Sequence, residues 1–463
     1  MKKKKALGTF DIVLYVISAL LFLDQLTAAA SVGPQSIFWL LLIALIYVTP
    51  YIMIVTELAT AYPNEGGIYD WVMRAFGPKA GAHISWLYWI NMMLFVPTGF
   101  LLFAGVFSDL FMPELGYMEQ SAICLVLVAI MTVVLCMDIK FAKWLPNIGA
   151  ILKIIFILSI AGGGIYLGMT KGPATEFSAS TMTPAWGAGI GFLAMIVFNV
   201  TGWDTIAALA RHIENPAKSI PRGFAIAGVI VVIMYLLAMT GVLVAVPVED
   251  LGLIAGFVDT LQAMFNADGT GWWIVVTLGC ILMFSLVSNN ITWCMAANEA
   301  AMAAGRSGEL PKVFGYLHPK TKAPMGAALL GGVVASVEVL LYGLLANTAE
   351  YLFWLILAFS TMIFFIPYLV MFISFVRLRR IDPDAPRPFR VPGGMGFAKL
   401  LAMSPFIVLV VSMYLLLLPP GEPVDGPYVA AIVFGCLFVL GLGKFIVDKC
   451  CNAPENQLQA EES

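Results

Sequence analysis

The stretch IVFNVTGWDTIAALA, residues 196–210, starts as a run of helix-forming apolar residues and is then interrupted from within. Asn199, Val200, Thr201 and Gly202 place an amide, two β-branched side chains and a glycine just before Trp203 and Asp204, which lowers helix propensity in mid-run. A break there frees backbone donors and acceptors. At membrane depth such groups are tolerated only where they line a cavity. Near the start of the chain, FLDQ (residues 22–25) interrupts another apolar run with the carboxylate of Asp24 and the amide of Gln25.

The setting is a bilayer. Of 463 residues 61% are hydrophobic and only 11% charged, and the mean hydropathy is +0.93, which leaves too little polar surface for a soluble globule of this size. A span needs about 20 apolar residues. The sequence predicts twelve, over 10–32, 35–62, 80–112, 120–137, 142–170, 184–211, 220–247, 271–304, 324–346, 349–377, 396–419 and 427–448. The basic start MKKKKALG lacks a small-residue cleavage site after it, so the first run is expected to be a retained helix. With the N-terminus inside, every Lys and Arg except Lys153 and Lys171 falls on the cytoplasmic side, while Asp109, Glu114, Glu119, Glu249 and Asp250 lie outside. An even number of spans with both ends cytoplasmic follows. The seven cysteines include no CxxC and suggest neither a metal cluster nor a disulfide framework.

The interrupted first and sixth spans are five apart. Broken segments at corresponding positions of two halves point to a transporter built from inverted repeats, with its site between the breaks. Lys153 sits in the middle of the fifth span, where a lysine costs about 2.5–3.5 kcal/mol on insertion scales and must face a partner or a cavity. It either braces two helices through backbone carbonyls, stands in for a coupling cation, or exchanges its proton.

Three further stretches carry a family resemblance. ELATAYPNEGGIYDWVMRAFGPKAG (57–81), GWDTIAALARHIENPAKSIPRG (202–223) and AANEAAMAAGRSGELPKVFGYLHPKTKAP (296–324) resemble, in order and at suitable spacing, segments of the amino acid-polyamine-organocation family. The resemblance covers about the first 420 residues and implies an all-α membrane protein with a LeuT-like 5+5 inverted repeat, discontinuous in helices 1 and 6. The expected division is a cytoplasmic tail (1–9), a first repeat (10–170), a second repeat (184–377), two peripheral helices (396–448) and a second cytoplasmic tail (449–463). Two departures stand out. The break in helix 1 has no glycine and carries Asp24, which is similar to polyamine-transporting members and to the glutamate/GABA exchanger branch. Arg211 and His212 replace the acidic pair that many members carry before the Asn-Pro of the following loop.

The expected substrate contacts are Asp24, Gln25, Phe198, Asn199, Thr201, Gly202, Trp203, Asp204, Asn289 and Trp293, with Lys153 and Asp204 as coupling or gating groups. Each also has a plainer reading. Asp24 could pair with a helix end, a hydroxyl or Lys153; Asp204 could cap the second half of helix 6; Phe198 could be core packing; Asn289, Asn290 and Trp293 could form a helix-packing network. His212 and His318 fall in inner loops and are expected to be solvated.

No Walker loop, metal-ligand spacing or nucleophile constellation is present, and no ring of like residues suggests a channel. The reading is a secondary transporter of amino acids or their amines in the cytoplasmic membrane, driven by exchange or by protons. A proton-coupled uptake permease for neutral amino acids is the second reading, and a membrane-embedded enzyme the reading outside transport. No cofactor, metal, nucleic acid or disulfide-linked subunit is expected. The partners are the substrate, protons and lipid, and the assembly a monomer or homodimer.

Overall fold

The computed structural model describes residues 7–23, 26–64, 66–113, 115–184, 190, 193–248, 251, 256–266, 269–344, 349–421 and 423–452. Asp24 and Gln25, together with the outer-loop acids Glu114, Glu249 and Asp250, lie outside these residues. Apart from short turns at Ile139–Ala142, Ala179–Met182 and Ala210–His212, the helices in chain order are α1 (Thr9–Leu20), α2 (Leu26–Ala30), α3 (Gln35–Ala61), α4 (Ile68–Phe76), α5 (Pro78–Phe111), α6 (Tyr117–Leu135), α7 (Trp144–Lys171), α8 (Leu193–Asn199) and α9 (Thr205–Ala208). They continue with α10 (Pro216–Ala245), α11 (Gly256–Phe265), α12 (Trp272–Arg306), α13 (Met325–Leu344), α14 (Ala349–Ile381), α15 (Gly394–Leu417) and α16 (Gly426–Cys451). Among the described residues there is no strand, only an isolated parallel bridge between Leu7 and Ile213.

Among the described residues ten helices are long and apolar enough to cross a membrane, which makes this a multi-pass membrane protein. Two further segments are broken where the sequence is interrupted. α1 ends at Leu20 and α2 starts at Leu26; α8 ends at Asn199 and α9 starts at Thr205. The second break turns on Gly202, whose φ of 128° suits a residue without a Cβ. Helix starts follow local chemistry. Pro78 and Pro216 lead α5 and α10, where a missing N–H costs nothing, and Asp425 caps α16 by accepting from Tyr428 N at 3.0 Å.

α3 holds a feature that the apolar pattern does not reveal. Residues Ala44–Val48 form a π-helical turn just before Pro50. Proline cannot donate to the carbonyl four residues back, that of Ile46. The Ser404 hydroxyl of α15 donates to it instead.

α1 packs against α7, α10 and α12, and α5 runs along α12. α7 and α10 cross so closely that a Cβ on Gly164 would lie 2.8 Å from the Gly241 Cα, the close approach that small residues permit between membrane helices. On the outer face, α16 exposes Phe434, Phe438 and Phe445, as lipid contact requires. The basic end of the bundle is laced by ion pairs. Lys143 Nζ lies 3.0 Å from Asp11 Oδ1, and Glu57 is buried between Arg379, which grips both its oxygens, and Arg387 at 3.3 Å.

Candidate functional site

The two breaks meet at Tyr235 of α10. Its hydroxyl accepts from Phe22 N at 2.8 Å and lies 2.6 Å from the Leu20 carbonyl and 3.2 Å from that of Asn199, so backbone groups freed at both interruptions converge on one phenol. A break in a membrane helix needs such a partner.

Asp204 follows the second break and is 1% exposed. It occupies the N-cap position of α9, yet its side chain makes no capping bond. Its Oδ1 instead accepts from Tyr51 Oη at 2.7 Å, and the same phenol accepts from Gly202 N at 3.2 Å. Tyr88 and Tyr368 direct their hydroxyls at the same carboxylate without closing a hydrogen bond. Tyr47, in the π-turn, lies 2.6 Å from Thr201 Oγ1, which donates to the Val197 carbonyl at 2.7 Å. A buried carboxylate ringed by phenols attracts a cation and disfavours an anionic group.

Beyond Tyr88 and Tyr368, whose rings meet Trp293 and Phe364, aromatic side chains of four helices and of the first break close on one another. Phe198 of α8 lies 5.1 Å from Phe22, 5.4 Å from Phe95 of α5 and 4.8 Å from Phe364 of α14, ring centroid to ring centroid. Trp293 of α12 lies 5.6 Å from Phe22 and 5.3 Å from Phe364, and its Nε1 donates to the Ala19 carbonyl at 2.8 Å. Ring faces around a buried carboxylate suit an organic ammonium or guanidinium. Gly202 allows the approach: a Cβ there would sit 2.4 Å from the Trp293 ring.

Lys153 lies on the other side of α1. Its Nζ donates to the Ser18 carbonyl at 2.6 Å and to Asn289 Oδ1 at 2.8 Å, so it spans α1 and α12. Ser18 continues the network to Thr292 Oγ1 at 3.0 Å. Asn290 takes a different direction, donating to the Val96 carbonyl at 3.1 Å.

The structure therefore gathers Phe198, Gly202, Asp204 and Trp293 at one site, places Asn199 and Thr201 in its backbone frame, and sets Lys153 with Asn289 beside it. Trp203 is turned away: its ring packs against Phe224 of α10, 5.8 Å off, and its Nε1 donates to the Val200 carbonyl. His212, expected to be solvated, is partly buried. It is tucked against Glu299 of α12, Nε2 to Oε1 at 3.8 Å, at the basic end. Sequence reasoning missed Tyr47, Tyr51, Tyr88, Tyr235 and Tyr368. The available signal was that a phenol in an apolar span needs a polar partner, together with the four-residue spacing of Tyr47 with Tyr51 and of Phe364 with Tyr368. Among the described residues no group of His, Cys, Asp and Glu gathers to hold a metal ion.

Comparison with known proteins identifies the family. The profile of the amino acid permease family matches residues 7–441. A protein of Lactococcus lactis subsp. lactis named probable agmatine/putrescine antiporter AguD is 30% identical over 448 residues, covering 96% of this chain and 95% of its own length. A polyamine transporter of Oryza sativa subsp. japonica is 24% identical, covering 84% of this chain and 69% of its own. The branched-chain amino acid permease BcaP of Bacillus subtilis is also 24% identical, with 84% of each chain covered. With the family matched over nearly its whole length, the chain belongs to the amino acid permeases of the amino acid-polyamine-organocation superfamily, and is a transporter rather than an enzyme.

Proposed function

We propose that this permease exchanges amines, or an amine for its parent amino acid, across the cell membrane, with both termini on the cytoplasmic side. The observation that carries this reading is the buried Asp204 carboxylate beside the ring cluster of Phe22, Phe95, Phe198, Trp293 and Phe364. Such a site matches an ammonium or guanidinium on an apolar stem. The name of the Lactococcus lactis relative, an agmatine/putrescine antiporter, supports the same substrate class and exchange.

The architecture we assign is LeuT-like: α1 to α7 form one repeat, α8 to α14 its inverted counterpart, and α15 and α16 are peripheral. Alternating access rocks the broken helices and their partners α3 and α10 against the remainder. We assign Asp24, which lies outside the described residues, as a second carboxylate for a divalent amine. Lys153 replaces a coupling cation between α1 and α12. The similarity to BcaP supports a second reading, uptake of neutral amino acids with protons.

Counterflow separates the two. Proteoliposomes preloaded with putrescine or agmatine are expected to take up labelled putrescine faster than unloaded ones, and amines to outcompete their parent amino acids. If preloading has no effect and leucine competes best, the neutral-permease reading replaces ours.

A further inference from the structure

Asn91 lies in α5, three residues after Tyr88 and four before Phe95. The helical repeat sets it near the face that carries Tyr88 to Trp293 and Phe95 to Phe198. It is 1% exposed, and neither its Oδ1 nor its Nδ2 has a hydrogen-bond partner. A primary amide carries two N–H donors and an oxygen with two lone pairs, so all of its polar capacity is unmet. The other buried amides that touch α5 are at least partly matched: Asn298 accepts from Trp89 Nε1 at 3.1 Å, though its Nδ2 has no partner, and Asn290 donates to the Val96 carbonyl. The hydroxyls of Tyr88 and Tyr368 are also unmatched. Leucine has the same branched skeleton as asparagine, though a larger volume, and would bury no unmatched polar group. A standing cost of that kind persists where a group is needed by something that arrives later.

We propose that Asn91 is a specificity-determining ligand of the transported amine. Its Oδ1 accepts an N–H from the ammonium or guanidinium end, while the rings hold the face of the cation and Asp204 balances its charge. A hydrogen-bonding amide distinguishes a primary amine, rich in N–H groups, from a quaternary one of equal charge. The proposal rests on the amine reading above.

The test uses purified full-length protein and two probes: putrescine, and its fully N-methylated bis-quaternary analogue, which keeps both charges and loses every N–H. Wild type is expected to prefer putrescine by roughly tenfold or more. Asn91→Leu should lose that preference while the ligand-free protein melts at a higher temperature, a combination that a purely structural asparagine would not give. Asn91→Ala serves as the second variant if the leucine disturbs packing. The proposal is overturned if either variant keeps the wild-type preference, or if wild type binds both probes equally. Failure of wild type to bind either probe overturns the amine reading itself, a result distinguishable from the others.

Discussion

At Lys153 the ammonium bridges the Ser18 carbonyl and Asn289 Oδ1, tying α1 to α12 with a charge built into the chain. A bound sodium ion there would meet a like charge, which is unfavourable. Uptake into proteoliposomes is therefore expected to be the same in sodium and in choline at fixed pH and voltage. A rate that rises with an imposed sodium gradient would contradict it. At Asp204 the expected outcome is loss of binding without loss of fold: Asp204→Asn keeps a partner for Tyr51 but removes the charge. Amine affinity should fall by roughly tenfold or more while the protein stays monodisperse, and unchanged affinity by calorimetry would sink the assignment. Both residues were legible in the sequence because a charge inside an apolar span has to be explained. The tyrosines were not. A phenol is amphipathic, so Tyr51 and Tyr235 read like any other membrane aromatic until their partners, most of them 151 to 215 residues away, are known.

Among the elements, the two breaks are held in register by Tyr235, which touches backbone at Leu20, Phe22 and Asn199. Tyr235→Phe keeps the ring and removes that link. We expect turnover to fall several-fold with substrate affinity nearly unchanged, and the melting temperature to drop by an amount equivalent to about 1 kcal/mol. A proportional loss of affinity instead would make Tyr235 a substrate contact. The long spans were legible because apolar runs of that length have one reading, and the breaks because Gly202 and its neighbours oppose helix formation. The π-turn at Ala44–Val48 was not, because its cause lies partly in α15, where Ser404 satisfies the carbonyl that Pro50 leaves open. α4 was missed for the same reason, whereas the second half of helix 6, expected after the break, is present as α9. α9 is only four residues long, and α4 is tied to a distant part of the chain through Tyr69 and Glu309.

Over the whole molecule, the basic end is closed by groups far apart in sequence. Glu57 of α3 is gripped by Arg379 and approached by Arg387, and it also accepts from Val391 N at 2.7 Å. Glu57→Gln leaves two buried guanidiniums without their anion and should cost about 3 kcal/mol of stability, read from thermal melts. Nearby, Glu309 takes a hydrogen bond from Tyr69 at 2.7 Å, and burial pushes its carboxyl from 4.5 up to about 7. The folded protein therefore keeps this proton longer than the unfolded chain does. The associated stability is complete below the unfolded value and is lost as pH rises through the folded one. Melting in detergent should thus occur at a lower temperature near pH 8 than near pH 5, and Glu309→Gln should reduce that slope. A slope unchanged in the variant would assign it to other groups. The parallel bridge between Leu7 and Ile213 bears on the same end: Leu7 N donates to the His212 carbonyl at 3.0 Å and Glu214 N to the Leu7 carbonyl at 2.8 Å. It fastens the segment before the first broken helix to the segment after the second. In a cycle that swings those helices as one body, probes attached on either side of this clasp would record a separation that does not change. Such a pair is a built-in ruler, and the distances that do change can be calibrated against it.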